Sequence, residues 1–88
     1  MEITQVRVFP VGEERLKAYA TIVFDDCFLV RDLRVIHGKK GLFVAMPNRR
    51  TKEGGYRDLA HPITHDLRER IERVVLDTYA QVKDTQSR

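Results

Sequence analysis

Leu16-Lys17-Ala18-Tyr19-Ala20-Thr21-Ile22-Val23-Phe24, followed by Asp25-Asp26, is the stretch whose reading decides the fold. Ala18, Ala20, Ile22 and Phe24 recur at every second position with Leu16 in step, and Tyr19, Thr21 and Val23 fall between them. Successive side chains of a strand point to opposite faces, so this spacing predicts a strand with one apolar face. Asp25-Asp26 predicts a tight turn, because Asp tolerates turn geometry and hydrogen-bonds its own backbone. Phe28 to Ile36 is then the returning strand of a hairpin. In it Leu29, Arg31, Leu33 and Val35 alternate with Phe28, Val30, Asp32, Arg34 and Ile36. Both sets are partly apolar and both carry charge. In so short a chain, such a strand predicts that its second face meets a helix or another subunit.

Upstream, Ile3 to Val11 has the β-branched and aromatic content of a strand, with Val6, Val8 and Phe9. Pro10 cannot donate to a ladder and marks a strand end or an edge. Downstream, His37-Gly38-Lys39-Lys40-Gly41 reads as a turn, and Leu42 to Met46 as a short buried strand stopped by Pro47. Asn48 to Arg57 shows no periodicity and holds Gly54-Gly55, which predicts a mobile loop. The residue before a proline avoids the α region, so no helix runs through His61-Pro62. Thr64 is a candidate N-cap, with Asp66 in the first turn. Leu67, Ile71, Val74, Val75, Thr78 and Val82 recur at helical spacing, predicting a helix to about Gln81 with Arg68/Glu72 and Glu69/Arg73 pairs on its wet side. The fold class expected is α+β: an antiparallel sheet of about four strands with one C-terminal amphipathic helix packed on it. Residues 1–82 form the single domain, and 83–88 a frayed tail.

Eighty-eight residues hold one domain with a modest core. A third of the residues are charged, and no apolar run approaches the roughly 20 residues that span a bilayer. The opening Met-Glu-Ile-Thr-Gln lacks the basic start and apolar centre of a signal peptide. The single cysteine, Cys27, has no partner in the chain for a disulfide. These features lead to the expectation of a cytoplasmic protein without membrane association, with Cys27 as a small packing residue and not a nucleophile. The net charge of +3 is unevenly spread. Residues 31–57 carry Arg31, Arg34, Lys39, Lys40, Arg49, Arg50, Lys52 and Arg57 against only Asp32 and Glu53, while the flanking thirds are slightly acidic. A localised cluster of this kind attracts polyanions even when the whole chain is only mildly basic.

Phe43-Val44-Ala45-Met46-Pro47, the basic pair Arg49-Arg50, then Arg57-Asp58 and Ala60-His61-Pro62-Ile63, form a long and specific string. It resembles the signature of the SpoVG family (stage V sporulation protein G, or septation protein). The opening Ile3-Thr4-Gln5-Val6-Arg7 and the run Arg31-Asp32-Leu33-Arg34-Val35-Ile36 are similar too, and the likeness extends to about residue 80. The chain departs from the usual pattern at Thr51-Lys52-Glu53-Gly54-Gly55-Tyr56, where a Pro-Asp-Gly-aromatic tip is common, and at Thr64-His65-Asp66, where Asn-Ser-Asp is usual. The resemblance implies a small bacterial cytoplasmic homodimer that binds DNA, and RNA as well, in regulating septation, sporulation and related traits. It implies nucleic-acid contact at Arg49 and Arg50.

The residues themselves extend that expectation. Arg49, Arg50, Lys52 and Arg57 can meet phosphates, and an arginine can read guanine. Lys39 and Lys40, at the neighbouring turn, would enlarge the patch. Tyr56 is its one aromatic, able to stack on an exposed base or to pack on its own stem. Arg70 and Arg73 on the helix offer further cations, with helix solubility as their plainer role. A second reading makes the same loop a docking site for an acidic protein partner. Retention on heparin or DNA that is lost steeply with salt distinguishes the first reading from specific capture of proteins. No enzyme is expected. His61 and His65 are four apart, but Pro62 separates them and no third metal ligand is placed. No carboxylate pair sits in an apolar setting, and Gly54-Gly55 lacks the Gly-Lys-Ser/Thr of a phosphate loop. No catalytic residue, metal, cofactor or small-molecule substrate is therefore assigned.

Overall fold

The alternation in Leu16–Phe24 is realised in the computed structural model, which describes residues 1–86. Strands β1 (Ile3–Pro10), β2 (Leu16–Phe24), β3 (Phe28–Gly38) and β4 (Gly41–Ala45) form one antiparallel sheet in the order β1-β2-β3-β4. A helix, α1 (His65–Gln86), crosses one face of it. The expected α+β class with a four-stranded sheet and a C-terminal helix is what the chain adopts. Asp25 and Asp26 both take positive φ, 50° and 53°, and the Cys27 amide donates to the Phe24 carbonyl at 3.0 Å. The turn is held against β1, because the Glu2 amide donates to Asp25 Oδ1 and the Asp26 amide to Thr4 Oγ1, each at 2.9 Å. Cys27 ends this turn and is exposed, so it is not the packing residue expected.

The two-faced pattern of β3 is resolved by a β-bulge. Ala20 pairs with Leu33, but Ile22 pairs with Val30, so Thr21 opposes both Arg31 and Asp32. Asp32 sits at φ 67°, a left-handed conformation that Asp tolerates better than most residues. The inserted residue shifts the phase, so Val30 and Leu33 face the helix although they are an odd number apart. Val8, Ala18, Ala20, Ile22, Phe24, Leu33, Val35, Val44 and Met46 form the core with Ile71, Val75 and Tyr79 of α1. Leu67, Ile71, Val75 and Tyr79 are the inward stripe at four-residue spacing; Tyr79 belongs to it although the helical repeat read from the sequence omitted it. Each fully buried Ile, Leu or Val contributes roughly 1.5–3 kcal/mol.

The other face of the sheet carries no helix. Cross-strand neighbours Phe9 and Tyr19, Val23 and Leu29, and Ile36 and Phe43 lie there, with Phe9, Tyr19, Leu29 and Phe43 exposed. Leu42 is exposed as well, so β4 is half-buried where a buried strand was expected; only Val44 and the following Met46 enter the core.

Thr64 caps α1, with the Leu67 amide donating to Thr64 Oγ1 at 3.2 Å and the Arg68 amide to the Thr64 carbonyl at 3.2 Å. On the wet side Glu69 pairs with His65 at 2.9 Å instead of with Arg73. The helix runs past Gln81 to Gln86, so the tail expected from Lys83 is helical over its described part. Once a helix exists, each added residue gains a backbone bond, and Lys83 suits the negative end of the dipole. Residues 87–88 lie outside the described residues.

Candidate nucleic-acid interface

Pro47 ends the main sheet, and the basic segment that follows is not a loop. Asn48–Arg50 (β5) and Tyr56–Asp58 (β6) form a separate antiparallel hairpin with the register Asn48 to Asp58, Arg49 to Arg57 and Arg50 to Tyr56. Strands of three residues are too short for a period-two pattern to show, which is why the sequence reads as irregular there. The turn supplies the order. The Gly54 amide donates to the Thr51 carbonyl at 3.1 Å, and the Thr51 amide to the Gly55 carbonyl at 2.8 Å. Thr51 Oγ1 accepts from the Gly55 amide at 3.2 Å. Gly54 takes φ +90°, so the five-residue connection 51–55 is closed by the Thr51–Gly55 pair around a three-residue tip with a left-handed glycine.

The base of the hairpin is tied to the domain. Asn48 Nδ2 donates to the Met46 carbonyl at 2.9 Å, and Arg34 Nη1 to Asn48 Oδ1 at 3.5 Å. The Leu59 amide donates to the Pro47 carbonyl at 2.7 Å, closing the two chain ends. Beyond it, Ala60, His61 and Pro62 border an apolar pocket of about 120 Å³ whose other walls include Met46, Pro47, Leu67 and Ile71. Asp58 to Ile63 is thus the join between hairpin and helix, although Ile63 itself is 90% exposed. His61 lies outside α1, its Nδ1 3.1 Å from the Pro62 carbonyl.

Arg49, Arg50, Lys52, Tyr56 and Arg57 are all exposed on this one hairpin. Two arginines directly opposite on neighbouring strands repel each other. Among the described residues no carboxylate lies within ion-pairing distance of Arg49, Arg50, Lys52 or Arg57. Tyr56 is 70% exposed and faces Arg50 across the ladder, so its ring is not buried on its stem. Lys39 and Lys40 are not brought to this group. They form the β3–β4 turn between Gly38 and Gly41, at the far end of β4 from the hairpin base.

Arg34 is the residue that sequence reasoning underused. It lies over the Tyr19 ring, 6.0 Å from its centroid, on the uncovered sheet face, and it reaches the hairpin base. Its Nε is buried without a partner. The signal was in the string Arg31-Asp32-Leu33-Arg34, but only the bulge shows which arginine is held. Arg70 Nη2 donates to the Met1 carbonyl at 3.1 Å, so that helix arginine fastens the chain start.

Known proteins match this chain over nearly its whole length. The SpoVG family matches residues 1–81. A protein of Anaeromyxobacter sp. (strain Fw109-5) named "Putative septation protein SpoVG" is 63% identical over 79 residues, which cover 90% of this chain and 81% of that one. The protein of the same name from Myxococcus xanthus is 58% identical over 79 residues, covering 90% of this chain and 80% of its own. That of Caldicellulosiruptor saccharolyticus is 42% identical over 83 residues, covering 93% and 94%. With the four-stranded sheet, the single C-terminal helix and the Ala-Met-Pro segment leading into a basic hairpin, this chain belongs to the SpoVG family.

Proposed function

We propose that this protein is a nucleic-acid-binding regulator in septation and related developmental control, and that the β5–β6 hairpin is its contact surface. The observation that carries this reading is the Arg49–Arg57 pair: two cations held face to face with no acid beside them. A fold gains nothing from that arrangement, and a phosphate ligand relieves it. The names of the relatives supply the septation context. The protein acts in the cytoplasm as a homodimer, in keeping with an uncovered sheet face that exposes Phe9, Tyr19, Leu29 and Phe43. A two-fold axis doubles the number of hairpins on one nucleic acid.

The test is an electrophoretic shift and its salt dependence. Each phosphate neutralised adds about −0.9 to the slope of log K against log salt on duplex DNA, so Arg49, Arg50, Lys52 and Arg57 together supply about −3.6 per chain. Replacing Arg49 and Arg50 by Ala is expected to abolish most binding and to flatten that slope by about 2 per chain, with the thermal melt nearly unchanged. Wild-type affinity in the double variant sinks the assignment. Specific capture of an acidic protein, without salt-sensitive binding to DNA or heparin, favours the docking role instead.

A further inference from the structure

We infer that the hairpin is a β-ribbon that enters the major groove of B-form duplex DNA, with Arg49 and Arg57 reading guanine edges on its floor. This rests on the nucleic-acid reading above and names the form of nucleic acid that the hairpin fits.

Shape comes first. β5 and β6 pair with each other and join no other strand, so the ribbon has two free edges. A major groove about 12 Å wide and 8.5 Å deep admits a two-stranded ribbon. Three residues per strand at about 3.3 Å each give on the order of 10 Å of ribbon, short enough to lie along the groove with one face on its floor. The tied turn and the tied base keep it from collapsing onto the domain.

Faces come next. Side chains alternate along a strand, so Arg49 and Arg57 share one face and Asn48, Arg50, Tyr56 and Asp58 share the other. Asn48 is bound to the Met46 carbonyl and to Arg34, which turns its face toward the domain at the base. The Arg49–Arg57 face has no such tie, and both arginines are exposed. Arginine is the side chain that pairs in bidentate fashion with guanine O6 and N7. Opposed Cβ atoms in a ladder stand about 4.5–5.5 Å apart, close to the roughly 3.4 Å step between bases, so the pair serves neighbouring base pairs. The ribbon's two acids lie at its ends, Asp58 at the base and Glu53 in the turn, and leave the middle cationic.

Other nucleic acids fit less well. The A-form major groove of duplex RNA is deep and too narrow for side chains to read. A single strand is held by stacking on several aromatic rings. This ribbon has only Tyr56, and on the face opposite the arginine pair.

The test uses the full chain and fluorescence anisotropy at one fixed salt concentration. The probes are a 20-base-pair DNA duplex with repeated GG steps, the RNA duplex of the same sequence, and its DNA single strand. The DNA duplex is expected to bind at least tenfold more tightly than either. Replacing guanine by 7-deazaguanine is expected to weaken binding about tenfold, and netropsin in the minor groove to leave it unchanged. Arg49→Lys with Arg57→Lys keeps the charge and is expected to retain most non-specific affinity while losing the 7-deazaguanine effect; its circular dichroism confirms that it is folded. Equal or tighter binding of RNA or of the single strand overturns the inference. So does indifference to 7-deazaguanine, or displacement by netropsin. Those outcomes leave nucleic-acid binding intact, whereas no binding to any probe removes the proposed function as well.

Discussion

Arg49 stands directly opposite Arg57 in the β5–β6 ladder, with no carboxylate within ion-pairing distance of either among the described residues. Opposite charges at facing positions stabilise a ladder by roughly 0.2–1 kcal/mol, and like charges do the reverse. Arg57→Glu is therefore expected to leave the melting temperature unchanged or slightly raised. Affinity for duplex DNA should fall more than tenfold in the same variant. Thermal denaturation and a shift assay on one preparation check both. A parallel loss of stability and binding would show that Arg57 acts through the fold.

Gly54 and Gly55 are adjacent but not equivalent. Gly54 sits at φ +90°, where an L side chain is strained, although nothing crowds it. Gly54→Ala is expected to cost the hairpin about 1–2 kcal/mol. A methyl on Gly55 meets Thr51 Oγ1 at 3.7 Å, an ordinary contact, so Gly55→Ala should be neutral. Amide exchange at Thr51, whose N–H closes the turn, reports the difference without unfolding the domain.

The cap at Thr64 offers a test of the helix. Thr64→Ala removes the acceptor for the Leu67 amide and is expected to cost about 1 kcal/mol. For a domain of this size that lowers the melting temperature by about 4–8 °C. Thr64→Ser keeps the oxygen and should recover most of the loss.

Val75 is fully buried in α1 against the sheet. Val75→Ala is expected to destabilise the domain by roughly 1–3 kcal/mol, since it removes two methyl groups and leaves a cavity. Leu29 is exposed on the opposite face, so Leu29→Lys should leave the fold of the chain, read by circular dichroism, as in wild type. If the uncovered face is the homodimer contact, the same change halves the mass seen by light scattering. A dimer that survives Leu29→Lys places the contact elsewhere.

Much of this fold was legible in the chain because its strongest signals are local. Ala18, Ala20, Ile22 and Phe24 alternate over a full strand, and Thr64 announces α1 with a capping oxygen. The bulge at Asp32 was not legible, because a phase shift looks like a strand with two mixed faces until its partner's register is known. The hairpin was missed for a different reason: Asn48–Arg50 and Tyr56–Asp58 are too short to carry a period, and their order comes from Gly54 and from ties to Met46 and Pro47 that sequence spacing does not reveal. Of the candidate site, Arg49, Arg50, Lys52, Tyr56 and Arg57 were named from charge and composition, and the structure gathers them on one ribbon. Lys39 and Lys40 are near this group in sequence only, because β4 carries the chain away from them.

The bulge at Asp32 makes the sheet a counting device. A strand stores the side on which each residue falls as odd or even, and a bulge admits one extra residue without reversing the assignments after it. Removing Asp32 alone would put Val30 and Leu33 two apart and set Thr21 against Arg31 only, an unbroken ladder in which Val30, Leu33 and Val35 all still face the helix. A deletion at Thr21, in the unbulged partner strand, would instead reverse Ile22 and Phe24 relative to Ala18 and Ala20. The gap of three between Val30 and Leu33 is therefore specified together with the bulge: loss of the inserted residue should be tolerated in β3, whereas a single deletion at Arg34 should turn Val35 outward.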